Sequence, residues 1–331
     1  NYCEEFTGGA FLVIRDWLGP ALLGQDIRSG GELQARLAPF KGNRFAKAAL
    51  DLAWWDAAAK AAPGTPARRE TILGSLDFSR TASLQETLPE GLNEVSGLAT
   101  SPDGRLFAHG DERAVIYELA PDRARVLKWF VVGRRGVMGD FEGLAIMGHR
   151  FFLVTSQGEL VEFREGEAGA EVRYNIHLTG VGRLCEVEGL AYDPDRHTLL
   201  MPCKVNRTEE FEGHVVVVEI RGRRLRAHPV PRVFLPLDEL ERVGMDAEFH
   251  PSAIEIHPET GALIVASAQE EALLELTTYG RLLAGHSLRR RDHPQTEGVA
   301  FGPNGSLVLA DEGQGARGRL TWYFPDGGGS P

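Results

Sequence analysis

Acidic side chains recur along this sequence in short copies of one motif, of which residues 140–145 are the clearest example. Each copy has an acidic or polar residue, a spacer, a second acid or a serine, a small residue and an aliphatic residue. The other copies begin at Glu94, Glu186, His250 and Gln295. Residues two apart in an extended strand point to the same side, so both polar positions of one copy face the same way. The sequence therefore predicts several carboxylates that project together from a set of similar strands.

Carboxylates gathered in this way are ligands for hard cations. Like charges at close range do not all stay ionised unless a cation neutralises them. Oxygen ligands without thiolates favour Ca²⁺, with Mg²⁺ or Mn²⁺ as the next candidates. The predicted metal ligands are Glu94, Asp140, Glu142, Glu186, Glu188 and Glu297, and the predicted catalytic residues are Glu142, Glu188 and His250. A structural role remains open for each acid, because an acid at the start of a strand can also hydrogen-bond amides of the neighbouring strand set.

The sequence around each copy shows what positions these side chains. A turn follows each motif, then a short apolar run and, after a second gap, a further apolar run. Five such units with a spacing of roughly 40–50 residues predict a five-bladed β-propeller, a mainly β fold. The first strand of every blade lines the central channel, so the acids are expected at one mouth of it, with His250 and Ser252 contributed by the fourth blade.

The last unit shows only three strands, and an open ring would leave unpaired edges. We therefore expect residues 71–78 to form a strand that closes the last blade. Residues 237–243 predict a short helical excursion in the third unit. The polar residues 109–112 and 311–312 follow the second strands of the first and last blades. They either line the same channel mouth or are turn residues, and we interpret them as turn residues.

Residues 1–62 differ from the rest because they are rich in Ala and Leu and repeat their apolar residues at helical spacing. Phe45, Ala48, Leu52, Trp55 and Ala59 are predicted to line one helix face. The predicted organisation is a helical segment over residues 1–62, a linker over residues 63–70 and the propeller over residues 71–331.

Composition bounds the possible partners. The chain has 331 residues and a formal net charge of −11, which argues against a nucleic-acid partner. No apolar run reaches the roughly 18 residues that a membrane-spanning helix needs. The basic runs at residues 221–226 and 289–291 are interpreted as solvated edges.

The three cysteines, Cys3, Cys185 and Cys203, form neither a disulfide framework nor a zinc spacing, so they are expected to be buried thiols.

Part of the helical segment resembles a known family. Residues 42–56, with the preceding residues 18–24, resemble the helical part of the capping domain of enolase-superfamily enzymes of the acylamino-acid racemase and muconate cycloisomerase type. The catalytic lysines and Mg²⁺-binding carboxylates of that family lie on a (β/α)₈ barrel, and no such sequence follows here. The resemblance therefore does not imply enolase chemistry.

The propeller also resembles a known family. Residues 140–145 and their copies at residues 186–191 and 94–99 resemble the Asp-x-Glu-Gly-Ile/Leu-Ala motif of SdiA-regulated proteins. More distantly, the propeller resembles the calcium-dependent paraoxonases, gluconolactonases and diisopropylfluorophosphatase. The asparagines that help those hydrolases to hold calcium have no counterpart at the repeat positions of this sequence.

Two functions follow as expectations. The first is a Ca²⁺-dependent hydrolase of phosphotriesters, lactones or esters, with a small-molecule substrate bound at the channel mouth. The second is a non-catalytic propeller that binds a ligand or protein and that calcium holds together. The apolar faces of the helical segment must be covered either by the propeller of the same chain or by the same helices of a second chain. We predict the second arrangement, a homodimer through residues 1–62. The compartment is unknown from the sequence, although the family resemblance favours an extracytoplasmic location.

Overall fold

The computed structural model describes residues 7–23, 25, 27, 30–61, 71–79, 83–221 and 229–325. The chain forms two compact units, Asn1–Gly64 and Thr65–Pro331. The first is helical and the second is a five-bladed β-propeller, which confirms the predicted fold class. The predicted linker at residues 63–70 lies outside the described residues, and so do Cys3 and most of the basic run at residues 221–226.

In the described part of the helical unit, four α-helices are joined in part by one π-helical turn. They are α1 (Thr7–Val13), the π-helical turn Ile14–Leu18, α2 (Gly19–Leu22), α3 (Gly30–Leu37) and α4 (Arg44–Ala61). Leu18, Leu33, Leu37 and Ala46 are fully buried and form its core. Leu50 and Trp54 pack on that core from the same face of α4 as Ala46.

The apolar face that the sequence predicted for this helix is not the one that packs inside the unit. Phe45 and Leu52 are 52% and 70% exposed, and Ala48 is exposed as well. The side chains of Trp55 and Ala59 lie outside the described residues. The side chains of α4 that pack inside the unit are Ala46, Leu50 and Trp54, which lie four residues apart. This face of α4 meets α3 and the π-helical turn. The homodimer through residues 1–62 stays a prediction.

The propeller unit begins with a short helix, α5 (Ile72–Ser75), where the sequence predicted a strand; that prediction is wrong. The Thr71 hydroxyl accepts a hydrogen bond from the Gly74 amide at 3.0 Å and so caps the helix. The Glu275 carboxylate accepts another from the Leu73 amide at 2.9 Å. Both contacts satisfy amides at the helix start that have no partner within the helix.

Five sheets surround the channel. Blade 5 takes its outer strand, β1 (Leu84–Thr87), from the start of the unit. Blade 1 contains β2 (Val95–Thr100), β3 (Leu106–Gly110), β4 (Val115–Leu119) and β5 (Val126–Val132). Blade 2 contains β6 (Phe141–Met147), β7 (Arg150–Thr155), β8 (Glu159–Arg164) and β10 (Tyr174–Leu178), while β9 (Glu171–Val172) pairs with β5.

The remaining blades follow in chain order. Blade 3 contains β11 (Cys185–Val187) and β12 (Ala191–Asp193) as a broken inner strand, then β13 (Thr198–Asn206), β14 (His214–Arg221) and β15 (Val230–Pro236). Blade 4 contains β16 (Ala253–Ile256), β17 (Leu263–Ser267), β18 (Ala272–Leu276) and β19 (Leu282–Ser287). Blade 5 is completed by β20 (Thr296–Phe301), β21 (Leu307–Asp311) and β22 (Arg319–Tyr323). Short 3₁₀ helices cover Glu90–Leu92, Val181–Arg183, Glu209–Phe211, Leu237–Val243 and Pro303–Gly305, so the predicted excursion at residues 237–243 is confirmed.

The ring is closed as predicted, but by a different segment. Residues 84–87 pair antiparallel with β22, from Leu84 opposite Trp322 to Thr87 opposite Arg319. Closure by a strand from the start of the unit removes the open edge of blade 5. Residues 71–78 contribute only one isolated bridge, between Leu76 and Pro325.

Inner strands of adjacent blades contact one another around the channel, and small residues make this approach possible. A Cβ atom on Gly143 would lie 2.5 Å from the Leu190 amide nitrogen and 2.6 Å from the Gly189 carbonyl carbon. Only glycine fits between these two backbones. The Gly-Leu-Ala part of the motif is therefore a packing element, whereas the polar part is free for other roles.

Cys185 and Cys203 form a disulfide, so the expectation of buried free thiols is wrong for this pair. Both residues are buried, on β11 and β13 of blade 3. The sequence could not show this pairing, because the two strands align only once the blade has formed.

No helix among the described residues is both long and apolar enough to cross a membrane.

Candidate functional site

The second polar position of the motif lies at a β-bulge near the start of three inner strands. In blades 1, 2 and 5 the pairing between the inner strand and its neighbour skips one residue. The skipped residues are Ser96, Glu142 and Glu297. A bulge leaves its extra residue unpaired and changes the direction of its side chain. In each of these blades the bulge therefore places the second polar residue of the motif outside the regular strand pairing.

Blade 3 has its irregularity on the opposite strand. Glu186 pairs with Val205 and Val187 pairs with Cys203, so Lys204 is the residue left out on β13. Glu188 follows on a backbone turn at Gly189, whose φ of 125° is a conformation that favours glycine. The bulge brings an ammonium group to the same end of the blade as the acids.

Glu142, Glu188, Glu297 and Lys204 come together there, and we call these four residues the central cluster. Lys204 Nζ lies 2.7 Å from Glu188 Oε1. The side chain of Glu142 hydrogen-bonds that of Glu188, and Glu297 interacts electrostatically with both Glu188 and Lys204. Glu188 is only 5% exposed. Three carboxyl groups from three blades thus act electrostatically on one lysine, and Glu188 pairs with it directly.

The charges of the central cluster are strongly perturbed. Burial, reinforced by the charges of Glu188 and Asp140, raises the pKa of Glu142 to about 9. Burial and the charge of Glu188 raise the pKa of Glu297 to about 8. Burial also raises the pKa of Glu188, although its hydrogen bond to Lys204 opposes that shift. With Glu188 ionised beside Lys204, the cluster holds protons on its other two acids at neutral pH.

Lys204 is a functional candidate that the sequence reasoning missed. Burial lowers its pKa, but the hydrogen bond and the charge of Glu188 raise it further, so the net shift is upward. The available signal was a single lysine in the otherwise apolar run of β13, directly after the motif copy of the same blade. Its position at a bulge was not visible in the sequence.

The serine copies of the motif hold neighbouring blades together. Ser96 Oγ donates a hydrogen bond of 2.7 Å to the carbonyl oxygen of Phe141 in blade 2. Ser252 Oγ donates one of 2.6 Å to the carbonyl oxygen of Thr296 in blade 5. The structural role that was left open for the motif therefore applies to these two serines.

The other predicted ligands lie around the central cluster with partners of their own. Asp140 Oδ2 accepts a hydrogen bond of 2.5 Å from Ser156 Oγ. Glu186 Oε2 lies 3.5 Å from an Arg207 guanidinium nitrogen. Glu94 is exposed and lines a cavity of about 400 Å³. Among the described side chains, none of these three acids hydrogen-bonds a glutamate of the central cluster.

His250 belongs to a separate group. Its Nδ1 lies 2.8 Å from Glu270 Oε1, and its amide donates a hydrogen bond of 2.8 Å to Glu270 Oε2. Glu248 completes a trio whose ligand atoms all lie within 4.8 Å of one another, a spacing that could hold a metal ion. In the described part of the chain, no hydrogen bond or ion pair joins His250 to the central cluster. The structure thus separates one predicted catalytic residue from the other two.

A buried histidine faces the channel strands of blade 1. His109 lies within β3, opposite Gly97, and is fully buried, so its interpretation as a turn residue is wrong. Its Nδ1 lies 2.9 Å from the Gly110 carbonyl oxygen, while Nε2 has no hydrogen-bond partner in the described structure. Burial lowers its pKa to about 4, so the ring is neutral. Asp311, also interpreted as a turn residue, is likewise buried, at the end of β21.

Curated proteins that resemble this chain match only short stretches. An N-succinylamino acid racemase from Amycolatopsis sp is 33% identical over 97 residues, which cover 29% of this chain and 26% of that protein. An o-succinylbenzoate synthase from Listeria innocua is 43% identical over 60 residues, covering 18% of this chain and 16% of that protein. The chain thus spans about a quarter or less of these relatives, which confirms a fragmentary resemblance to enolase-superfamily enzymes.

The propeller is similar to several solved structures and matches one family model. A luciferin-regenerating enzyme superposes with a TM-score of 0.47 at 13% identity, covering 74% of this chain and 96% of that one. The Myxococcus xanthus glutaminyl cyclase gives a TM-score of 0.46 at 15% identity, covering 73% and 96%. Similarities this low support no statement about function. The model of the SdiA-regulated family matches residues 79–315, and the chain belongs to the SdiA-regulated family.

Proposed function

We propose that the central cluster is the active site of a hydrolase that acts on lactones, carboxylate esters or phosphotriesters with the help of a divalent cation. One observation carries the proposal: three glutamates from three blades converge on one lysine, with pKa values raised by burial and mutual repulsion. Burying several like charges costs stability. Carboxyl groups whose pKa values are strongly perturbed by burial and by neighbouring charges are candidates for a functional site.

The residues fit a hard cation in their donor chemistry. The three carboxyl groups offer only oxygen ligands, which favours Ca²⁺, with Mg²⁺ or Mn²⁺ possible. Binding would displace the protons held by Glu142 and Glu297. Lys204 opposes binding, because its ammonium already pairs with Glu188. A bound cation would supply Lewis-acid polarisation of the substrate C=O or P=O oxygen.

The chain's own residues suit the proton transfers. Lys204 holds the Glu188 carboxylate in one orientation, so Glu188 can accept a proton from the attacking water. Lys204 also places positive charge beside the site where negative charge develops on the substrate. His250, held by Glu270, serves in this proposal as a residue that contacts substrate at the channel mouth.

A non-catalytic propeller is the second candidate. The serine contacts between blades and the Lys204–Glu188 pair satisfy polar groups without any substrate, which favours a structural role for the motif. In that case a cation would raise the melting temperature while no substrate is turned over.

A screen of substrates distinguishes the two functions. Aryl phosphotriesters, phosphodiesters, lactones and carboxylate esters are incubated with the full chain, with and without a chelator. We expect turnover of at least one class, loss of that turnover in the chelator and recovery on addition of Ca²⁺. Absence of turnover in all classes, together with a cation-dependent melting temperature, would favour the non-catalytic propeller.

Lys204→Met tests whether the cation binds at the central cluster. Removing an ammonium from among the glutamates removes its repulsion of a divalent ion, so the affinity for Ca²⁺ should rise about tenfold, or about 1.4 kcal/mol. Isothermal titration calorimetry measures this. Lys128→Met is the matched control, because Lys128 also pairs with two glutamates, Glu118 and Glu165, but on an outer strand of blade 1. An unchanged affinity in Lys204→Met would place any bound cation elsewhere.

We further propose that the protein works in an oxidising, extracytoplasmic compartment. The Cys185–Cys203 disulfide supports this, because such bonds persist mainly outside the reducing cytosol. Fractionation of cells that express the natural gene, followed by thiol labelling, would test it.

A further inference from the structure

A second cavity is lined by strands of blades 4 and 5. Its volume is about 860 Å³, within the range of small-molecule sites. The segment after α5, the end of β19 and the strands β1 and β22 line it. Seven of its lining residues are Asp77, Phe78, His286, Arg289, Asp292, His293 and Tyr323. None of them belongs to the central cluster.

The inner wall of this cavity is a chain of buried hydrogen bonds. Asp311 Oδ2 lies 2.9 Å from His293 Nδ1, and His293 Nε2 lies 2.5 Å from the Tyr323 hydroxyl. Thr296 Oγ1 donates a further hydrogen bond of 2.9 Å to Asp311 Oδ1. The carboxylate fixes the proton of His293 on Nδ1, so Nε2 accepts the proton of the Tyr323 hydroxyl. The Tyr323 oxygen then has a lone pair left to accept a hydrogen bond from a ligand.

The blade architecture does not require this polar chain. The residues that stand opposite the matching inner-strand position in blades 1 and 2 are Gly110 and Thr155, where blade 5 has Asp311. Asp311 is fully buried, and a buried carboxylate is costly unless it is well paired. A costly network that blades 1 and 2 lack at this position, beside a large cavity, indicates a binding wall.

Three aromatic rings provide an apolar surface next to this wall. Phe78 stacks on His286 with a centroid distance of 3.8 Å and contacts Tyr323 at 4.6 Å. We call these three rings the aromatic ladder. It joins blades 4 and 5, because His286 lies on β19 and Tyr323 lies on β22. The rigid rings offer contact area at low entropic cost.

The charges around the cavity select against an ionic ligand. Asp77 and Asp292 are acidic, and Arg289 is basic and exposed. An anion would be repelled by the two carboxylates. Neither carboxylate requires a cationic ligand, because Asp77 accepts a hydrogen bond from the Ser79 amide and Asp292 lies 3.5 Å from Arg291. A purely apolar molecule would desolvate these groups without replacing their hydrogen bonds. A neutral ligand with many hydroxyl groups satisfies both kinds of charge, since each hydroxyl can donate and accept.

We propose that this cavity binds a small neutral polyhydroxylated ligand of the monosaccharide or disaccharide class. The C–H face of the sugar ring packs against the aromatic ladder, and its hydroxyl groups bond the Tyr323 oxygen, Arg289 and Asp77. This site is independent of the proposed hydrolase activity.

Saturation-transfer NMR and calorimetry on the full chain test the proposal. The probes are glucose, galactose, mannose, N-acetylglucosamine and maltose, with benzoate and benzylamine as charged aromatic probes. We expect at least one saccharide to bind with a Kd on the order of 1 mM or tighter. The proposal would be overturned if no saccharide gave a binding signal in either measurement at tens of millimolar. It would also be overturned if benzoate or benzylamine bound more strongly than every sugar.

Two variants locate the site. Arg289→Ala removes an exposed rim residue and should weaken saccharide binding about tenfold, as expected for a lost hydrogen bond to a charged group. Its matched control is Arg290→Ala, because Arg290 is an equally exposed neighbour that pairs with Glu271 outside the cavity. Tyr323→Phe should also weaken binding, and a thermal melt shows whether the variant is folded.

Wild-type affinity in both Arg289→Ala and folded Tyr323→Phe would overturn the assignment to this cavity. Glu142→Gln separates the two sites, because it alters the central cluster alone and should leave saccharide binding unchanged. Loss of saccharide binding in Glu142→Gln would move the sugar to the channel mouth and so contradict the proposal.

Discussion

Glu142→Gln and Glu188→Gln should each lower the hydrolase activity by at least about 100-fold, the range expected for loss of a group that takes part in proton transfer. An amide is a weaker ligand for a hard cation than a carboxylate, and it cannot accept the proton of the attacking water. The measurement is kcat/KM for whichever substrate class the screen identifies, at saturating Ca²⁺.

The stability of these two variants should differ, and this separates chemistry from folding. The pKa of Glu142 is raised to about 9, above its unfolded value, so the fold loses stability as the pH rises from about 5 towards 9 and this side chain ionises. Glutamine resembles the protonated acid. Glu142→Gln should therefore match the wild type near pH 4 and exceed it increasingly above pH 5, by several kcal/mol in order of magnitude at pH 9, because each pH unit of the shift is worth about 1.4 kcal/mol. Glu188→Gln instead leaves Lys204 without its partner and should be destabilising at neutral pH.

Glu159→Gln is the control for both variants, because Glu159 is an exposed glutamate on the third strand of blade 2. It should retain the activity and the pH profile of the wild type. Full activity in both cluster variants would place the chemistry elsewhere. A loss of activity that appears only where the circular dichroism spectrum shows unfolding would favour the structural role of the cluster.

The double variant Cys185→Ala/Cys203→Ala should lower the free energy of unfolding by about 3 kcal/mol, the value expected for a cross-link that closes a loop of this length. The two cysteines are 18 positions apart in the sequence. They also lie close in sequence to the central cluster, since Lys204 follows Cys203 directly and Glu188 lies three positions after Cys185. Urea denaturation followed by the β-sheet signal in circular dichroism measures the loss. Alanine is the chosen replacement, because a serine hydroxyl would be buried without a partner.

Reductant provides the matched comparison. A reducing agent should destabilise the wild-type protein to a similar extent and leave the double variant unchanged. If the double variant were as stable as the oxidised protein, or if reductant shifted both equally, the disulfide would contribute nothing to stability.

The sequence by itself determined the number of blades and the residues that line their inner strands. Motif and apolar runs repeat within each unit, and a blade pairs its strands mainly with neighbours in the chain, so local patterns carry this information. The same patterns identified Glu142, Glu188 and Glu297 as acids at equivalent positions of their blades. The helical character of the N-terminal residues also followed from local spacing.

Only the tertiary structure decided which segment closes the ring, because that choice depends on pairing between distant parts of the chain. Gln85 and Thr321, which hydrogen-bond across the closing strands, are 236 positions apart. No local pattern separates the strand at residues 84–87 from the helix at residues 72–75.

The partners of the site residues were also set by the fold. A bulge on β13 brings Lys204 to Glu188, and the register of β11 and β13 brings Cys185 to Cys203. His250 is drawn to Glu270 rather than to the central cluster by the turn after β17. The first two contacts depend on a shift of one residue in strand register, which reverses the side-chain direction, and the third depends on the course of a turn. Residue types alone specify neither.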